Sequence, residues 1–251
     1  MRPGRGTASH LSNPPPLDAA SDALLLDFDG TLVELASEPD AVRVPPDLAS
    51  LLQRVAARFG GALAVVTGRP LDFIDARLGW EMPFAAGVHG LDMRGAPGAP
   101  LSKESHQAIE QLRASLVQVE PGLVVEDKGL SVSLHYRKRP ELAVYAQRLA
   151  NAIVARSSGA LVALPGKLVV ELKPAVADKG TAVRSFMSRP PFAGRRPIFI
   201  GDDMTDEAAF AAVEAFGGFG VLVGHRTPTV ARHALGSVAA TGDWLRAQAS
   251  A

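Results

Sequence analysis

Three short apolar runs in this chain each stop on a polar cluster, and that recurrence constrains the fold more than any other feature of the sequence. Ala23-Leu24-Leu25-Leu26 runs into Asp27-Phe28-Asp29-Gly30, Ala62 to Val66 into Thr67-Gly68-Arg69, and Pro197 to Ile200 into Gly201-Asp202-Asp203. A strand that is apolar at every position must be covered on both faces, which is the situation of a parallel strand between two helix layers. Leu48, Leu51, Leu52 and Val55 recur at helical spacing between Pro45 and Phe59. A further helix is predicted over 206–215, a strand over Gly220 to Val223, and a last helix near 228–234. Strands alternating with helices predict a doubly wound α/β domain.

The stretch from 91 to 175 has a different rhythm. Val124-Val125, Ser131 to Tyr136, Leu161 to Leu164 and Leu168 to Leu172 read as strands, with helices over 102–118 and 140–156. Val132, Leu134 and Tyr136 share one face of their strand, with Ser131, Ser133 and His135 on the other. Leu168, Val170 and Leu172 likewise oppose Val169, Glu171 and Lys173. Such alternation belongs to a sheet packed on one face and open on the other. The 251 residues suit one large domain or two small ones. A smaller α/β module over 91–175, inserted into a core formed by 22–90 and 176–251, satisfies both patterns. Residues 1–21, rich in Pro, Gly and Ser, are expected to be a disordered leader.

Ligands of a parallel α/β sheet bind at the carboxyl ends of its strands. Asp27 and Asp29, Thr67 and Gly68, and Asp202, Asp203 and Asp206 therefore converge on one edge. Converging carboxylates repel, so the site calls for a cation, and all-oxygen ligation favours a hard one, Mg²⁺ first. A hard ion beside a hydroxyl and a glycine amide suits a phosphoryl group, whose charge must be neutralised during transfer. Composition removes the competitors. Lys and Arg total 26, as do Asp and Glu, and such balance argues against a general binder of nucleic acid or anionic membrane. No apolar run reaches the length of a membrane span. The chain has no Cys, which excludes a thiol nucleophile and a cysteine-ligated metal. The N-terminus lacks the apolar run of a secretory signal, so a cytoplasmic, monomeric protein is expected.

Asp27-Phe28-Asp29-Gly30-Thr31-Leu32 resembles the signature of the haloacid dehalogenase (HAD) superfamily of phosphohydrolases. Thr67-Gly68-Arg69, Lys179-Gly180 and Gly201-Asp202-Asp203-Met204-Thr205-Asp206-Glu207 match its three later motifs in order. Within that superfamily the chain is most similar to the trehalose-6-phosphate phosphatase family. Gly87-Val88-His89-Gly90, Glu126-Asp127-Lys128 and the run from Pro165 through Lys167 to Pro174 echo that family's pattern. Relatives often carry Glu before the His-Gly pair, where this chain has Val88. The resemblance spans roughly residues 22–240.

What the resemblance implies is specific. The fold is a Rossmann-like HAD core with a parallel sheet and an inserted C2-type α/β cap. Asp27 is the nucleophile that accepts the phosphoryl group, and Asp29 is the acid for the leaving alcohol, then the base for water. Thr67 and Gly68 hold phosphate oxygens, and Lys179 neutralises Asp27 and the phosphate. Mg²⁺ is held by Asp27, the Asp29 main-chain carbonyl and Asp202, with Asp203 and Asp206 orienting those ligands. Arg69 either reaches substrate or caps the helix after it, and His89 is either a substrate contact or a turn histidine. Glu126, Lys128, Glu171 and Lys173 are either a solvated ladder or the sugar-binding face of the cap, with Glu171 its anchor. Arg137 and Arg139 are read as solvated. The implied reaction is Mg²⁺-dependent hydrolysis of trehalose 6-phosphate. The alternatives are a phosphatase for sucrose or mannosylglycerate phosphates, and a sugar-phosphate sensor without turnover.

Overall fold

The computed structural model describes residues 11–36, 41–166 and 168–250. In chain order the first half runs β1 (Asp22–Leu26), α1 (Leu48–Arg58), β2 (Leu63–Val66), α2 (Leu71–Leu78), β3 (Ala85–Gly87) and β4 (Asp92–Arg94). It continues through α3 (Lys103–Ser115), β5 (Val124–Asp127), β6 (Val132–His135), α4 (Ala143–Arg156), β7 (Leu161–Gly166) and β8 (Val169–Pro174). The chain closes with α5 (Lys179–Met187), β9 (Arg196–Gly201), α6 (Glu207–Ala215), β10 (Phe219–Val223), β11 (His233–Leu235) and α7 (Val238–Ser250).

Seven strands form one sheet in the order β11-β10-β9-β1-β2-β3-β4, parallel except for β4 at its edge. β1 is central and every one of its residues is buried. Leu24 and Leu26 pack with Leu51, Leu52 and Val55 of α1, Ile74 of α2 and Leu245 of α7. Ala23 and Leu25 pack on the opposite face with Val183 and Phe186 of α5 and Phe210 and Val213 of α6. Period-two alternation therefore delivers apolar side chains to both helix layers, which is why the run carries no polar residue until the strand ends.

The other four strands form an antiparallel sheet, β5-β6-β8-β7. Leu134, Val170 and Leu172 face α3 and α4, where Leu112, Ala146, Ala150 and Ile153 complete a separate core. Glu126 of β5, Ser133 of β6 and Glu171 of β8 lie in register across the sheet, on the opposite face. The predicted open face is thus a polar rung.

Two expectations fail. Residues 11–21 are not a disordered leader: Ser12 pairs with His233, its carbonyl accepts from Ala234 N at 2.9 Å, and Leu17 is buried against the β1 core. Backbone pairing to an edge strand and one apolar anchor need no periodicity, so composition alone missed them; residues 1–10 lie outside the described set. The helix predicted near 228–234 is also absent. Val230 N donates to Glu207 at 2.9 Å and Arg232 N to Gly220 O at 3.0 Å, so amides that a helix would use are spent elsewhere, and 233–235 joins the sheet as β11. Among the described residues no helix is long and apolar enough to cross a membrane.

Candidate active site

The carboxyl end of β1 begins the site. Asp27 N still donates to Ile200 O at 2.8 Å, the last ladder bond, after which Thr31, Leu32 and Val33 all donate to Phe28 O. Phe28 is buried in the core, anchoring the turn between the two aspartates. Gly30 holds φ +75°, and a Cβ there would lie 2.2 Å from Asp202 Oδ2. Glycine is required twice at this position, for the left-handed backbone and for the approach of the Asp202 carboxylate just beyond β9.

Lys179 enters from the start of α5, whose first turn is fixed by a reciprocal cap between Asp178 and Thr181. Its Nζ lies 2.8 Å from Asp27 Oδ1 and 2.6 Å from Asp206 Oδ1. Asp206 is fully buried, and its other oxygen accepts from Asp203 N at 2.9 Å. Ligand oxygens of Asp27, Asp202 and Asp206 lie within 4.8 Å of one another. Burial and the Asp206 charge push the Asp27 carboxyl well above its ordinary range. Burial, again with Asp206, pushes Asp202 up to about 7. Burial opposes the Lys179 charge, but Asp206 and Asp27 outweigh it and hold the ammonium above its ordinary range. Three carboxylates facing one ammonium leave negative charge uncompensated. An all-oxygen set of that sign fits a hard divalent cation.

Two acidic residues stand apart from this cluster. Asp203 is exposed and its Oδ1 caps Met204 N at 2.6 Å; it braces Asp206 through its main-chain amide. The Asp29 carboxylate is gripped by Arg69, with Nε to Oδ2 at 2.7 Å and Nη2 to Oδ1 at 2.8 Å.

The end of β2 supplies the next group. Thr67 is buried, its N donates to Ala86 O at 2.8 Å, and its Oγ1 accepts from Arg69 N at 3.1 Å. A Cβ on Gly68 would lie 2.7 Å from His89 Nε2, so Gly68 makes room for the imidazole. His89 itself sits in left-handed backbone (φ 56°, ψ 32°), and its N donates to Thr67 O at 2.9 Å. A β-region residue there would turn the ring away from Gly68. The strain, of a kind usually found at functional positions, keeps the ring over the Thr67-Gly68 turn.

From that turn His89 meets the polar rung. Its Nε2 is 3.3 Å from Glu171 Oε2, which also accepts from Lys128 Nζ at 3.1 Å, while Ser131 Oγ donates to Oε1 at 2.7 Å. Burial alone would raise the Glu171 carboxyl; the His89 ring, the Lys128 ammonium and the Ser131 hydroxyl hold it well below the usual carboxylate range. Glu126 pairs with His135 Nε2 at 2.7 Å, and that bond lowers its carboxyl. Glu171, Lys128 and His89 thus come together, with Glu126 along the rung. Lys173 does not join them: its buried ammonium donates to Pro174 O at 3.3 Å and to Ala177 O, so it ties down the return connection to α5. Ser131 and His135 are partners that sequence reasoning placed on the right face without assigning a role. Arg137, read as solvated, donates to Ala36 O at 2.8 Å in the segment after β1.

Residues 25–241 match the trehalose-phosphatase family. A probable trehalose-phosphate phosphatase of Sinorhizobium fredii is 43% identical over 219 residues, covering 86% of this chain and 82% of the relative. The trehalose-6-phosphate phosphatase of Escherichia coli is 37% identical over 237 residues, covering 90% and 86%. Among solved structures, the C-terminal domain of the Candida albicans trehalose-6-phosphate phosphatase superposes with a TM-score of 0.78 at 19% identity, covering 97% of this chain and 99% of that one; this likeness is one of fold.

Proposed function

The chain belongs to the trehalose-phosphatase family of phosphoric monoester hydrolases, and on that premise we propose that it hydrolyses trehalose 6-phosphate through an aspartyl-phosphate intermediate. The observation that carries the mechanism is the buried Asp27 carboxylate, aimed out of the sheet and braced by Lys179 beside Asp202 and Asp206. Asp27 attacks phosphorus as the bond to the sugar oxygen breaks, and that oxygen keeps the electron pair and takes a proton from Asp29. Asp29 then takes a proton from water as the water oxygen attacks phosphorus, and the displaced electron pair returns to Asp27. Splitting the hydrolysis this way lets one carboxylate pair serve both displacements.

Lys179 offsets the charge that Asp27 and the phosphoryl group bring together, in a site with little water to screen it. Thr67 Oγ1 and the Gly68 amide hold phosphoryl oxygens. Mg²⁺ suits the oxygen donors of Asp27, Asp202 and the Asp29 main-chain carbonyl, with Asp206 and Asp203 bracing them, and once bound it would neutralise phosphoryl charge. We assign 22–90 and 176–251 to the catalytic core and 91–175 to a cap that reads the sugar. Glu171, Glu126 and Lys128 suit bidentate and charge-assisted bonds to vicinal hydroxyls. The expected setting is a cytoplasmic monomer.

The test is phosphate release from trehalose 6-phosphate, sucrose 6-phosphate, mannosylglycerate phosphate and glucose 6-phosphate, with Mg²⁺ and again in chelator. Preference for the first, lost in chelator and restored by Mg²⁺, supports the reading. Preference for another ester reassigns the substrate, turnover in excess chelator removes the metal, and silence on all four favours a sensor.

A further inference from the structure

Asp29 has two jobs in this mechanism, and the second requires a carboxylate pointed at an incoming water. Its own turn does not supply that direction. It lies on the flank of a tight turn, part-exposed, three residues beyond the end of β1. The direction comes instead from Arg69, forty residues away. Both carboxylate oxygens accept from the guanidinium in a parallel fork, at 2.7 and 2.8 Å. Such a fork fixes the plane of the carboxylate as well as its position.

Arg69 is itself held at three points. Its amide donates to Thr67 Oγ1 at 3.1 Å, its guanidinium lies 4.6 Å over the Phe73 ring, and β2 fixes the start of its loop. Each carboxylate oxygen offers two acceptor sites. The fork uses one on each and leaves one on each for water.

We propose that Arg69 is a positioning residue for the second displacement: it orients the Asp29 carboxylate toward the water that hydrolyses the phosphorylated Asp27. This rests on the aspartyl-phosphate reading above. In the step concerned, water gives its proton to an Asp29 oxygen and its electron pair to phosphorus, while the bond to Asp27 breaks and returns its pair to that carboxylate. The first displacement, with an activated leaving group, draws much less on Asp29, because such a group departs as an anion without a proton. Arg69 therefore bears unequally on the two steps.

Rapid mixing with p-nitrophenyl phosphate and Mg²⁺ separates them. The burst of p-nitrophenolate reports transfer to Asp27, and the steady rate reports its hydrolysis. In Arg69→Lys and Arg69→Gln the steady rate should fall roughly tenfold to a hundredfold, the scale of a misdirected catalytic group, and by more than the burst rate. Acid quench should then trap enzyme heavier by one phosphoryl group in an intact-mass spectrum, to a greater extent than in wild type. Lys keeps the charge without the fork, so Arg69→Lys behaving as wild type would overturn the proposal. An equal fall in burst and steady rates, with no added phosphoenzyme, would also overturn it, since that is what loss of fold or of substrate binding produces. If wild type itself releases no p-nitrophenolate and no phosphate from any sugar ester, the phosphatase reading fails first and this inference with it.

Discussion

Among the described residues Lys179 is the one cation placed between Asp27 and Asp206, and Lys179→Met isolates its contribution. Methionine keeps most of the side chain's length and apolar bulk, so the change removes chiefly the charge and its two contacts at 2.8 and 2.6 Å. All three groups are buried. Deleting one partner of a buried ion pair costs about 3–5 kcal/mol, because the other charge is left in a medium that cannot solvate it. For a chain of this size each kcal/mol moves Tm by about 2–4 °C, which gives a fall on the order of 6–20 °C. The fall should depend on pH with a definite sign. Asp27 and Asp202 have folded pKa values raised above their unfolded values, Asp202 to about 7 from about 4 in the unfolded chain. Native protein therefore binds more protons than unfolded protein between those limits, and stability falls as pH rises through them. Without Lys179 that fall steepens, so the deficit against wild type widens toward pH 8 and narrows toward about pH 5. Thermal unfolding by circular dichroism, in chelator, at both ends of that range measures it. A deficit of the same size at both pH values would refute the electrostatic argument. A Tm at about pH 8 within roughly 2 °C of wild type would refute the claim that the pair is desolvated.

Glu171→Ala should lower kcat/KM on trehalose 6-phosphate by about 2–4 kcal/mol, a factor of roughly 30 to 1,000, while a small aryl phosphate loses only a few-fold; equal losses would make Glu171 a structural residue. Gly30→Ala introduces a Cβ against the Asp202 carboxylate in left-handed backbone, so it should cost about 1–2 kcal/mol of stability and weaken Mg²⁺ binding by titration; unchanged metal affinity would show that Asp202 can retreat without consequence. Deleting residues 1–20 removes the Ser12 pairing with β11 and the buried Leu17, and Tm should drop by several degrees; an unchanged Tm would mean that this strap adds no net stability.

The core was legible because its chemistry and its topology are written in the same places. Between its ends a parallel strand buried on both faces has no room for a charge, so Asp27, Thr67 and Asp202 announce themselves where apolar runs stop. The polar rung was legible for the complementary reason, since β6 and β8 alternate, with apolar side chains on the face packed against α3 and α4 and polar ones on the other. What sequence could not give was pairing. From sequence Arg69 could reach substrate or cap the following helix, and only the approach of two strand ends puts Asp29 in its fork. Lys173 shares the parity of Glu171, yet the bend after Pro174 brings carbonyls within reach of its ammonium. The strap at 11–21 and β11 were missed together, because both are held by backbone pairing, β11 to β10 and Ser12 to β11, and neither carries a pattern of its own. α7 escaped for want of contrast: Ala, Thr and Gln surround its one deeply buried Leu245.

The register of Glu126, Ser133 and Glu171 on adjacent strands has a metric consequence. Neighbouring strands are held about 4.8 Å apart by backbone hydrogen bonds, so the two carboxylate-bearing positions are separated by two such spacings, about 10 Å at the backbone. Side-chain rotamers can adjust that span, but they cannot redefine it, because it is set by the amide-to-carbonyl distance common to every sheet. On the proposed reading of the cap, the rung acts as a gauge for the width of the sugar that lies across it. Reading a wider or narrower ring would mean moving a carboxylate to another strand, a jump of one full spacing. Sliding it along its own strand by two residues would shift the grip lengthwise and leave the gauge unchanged.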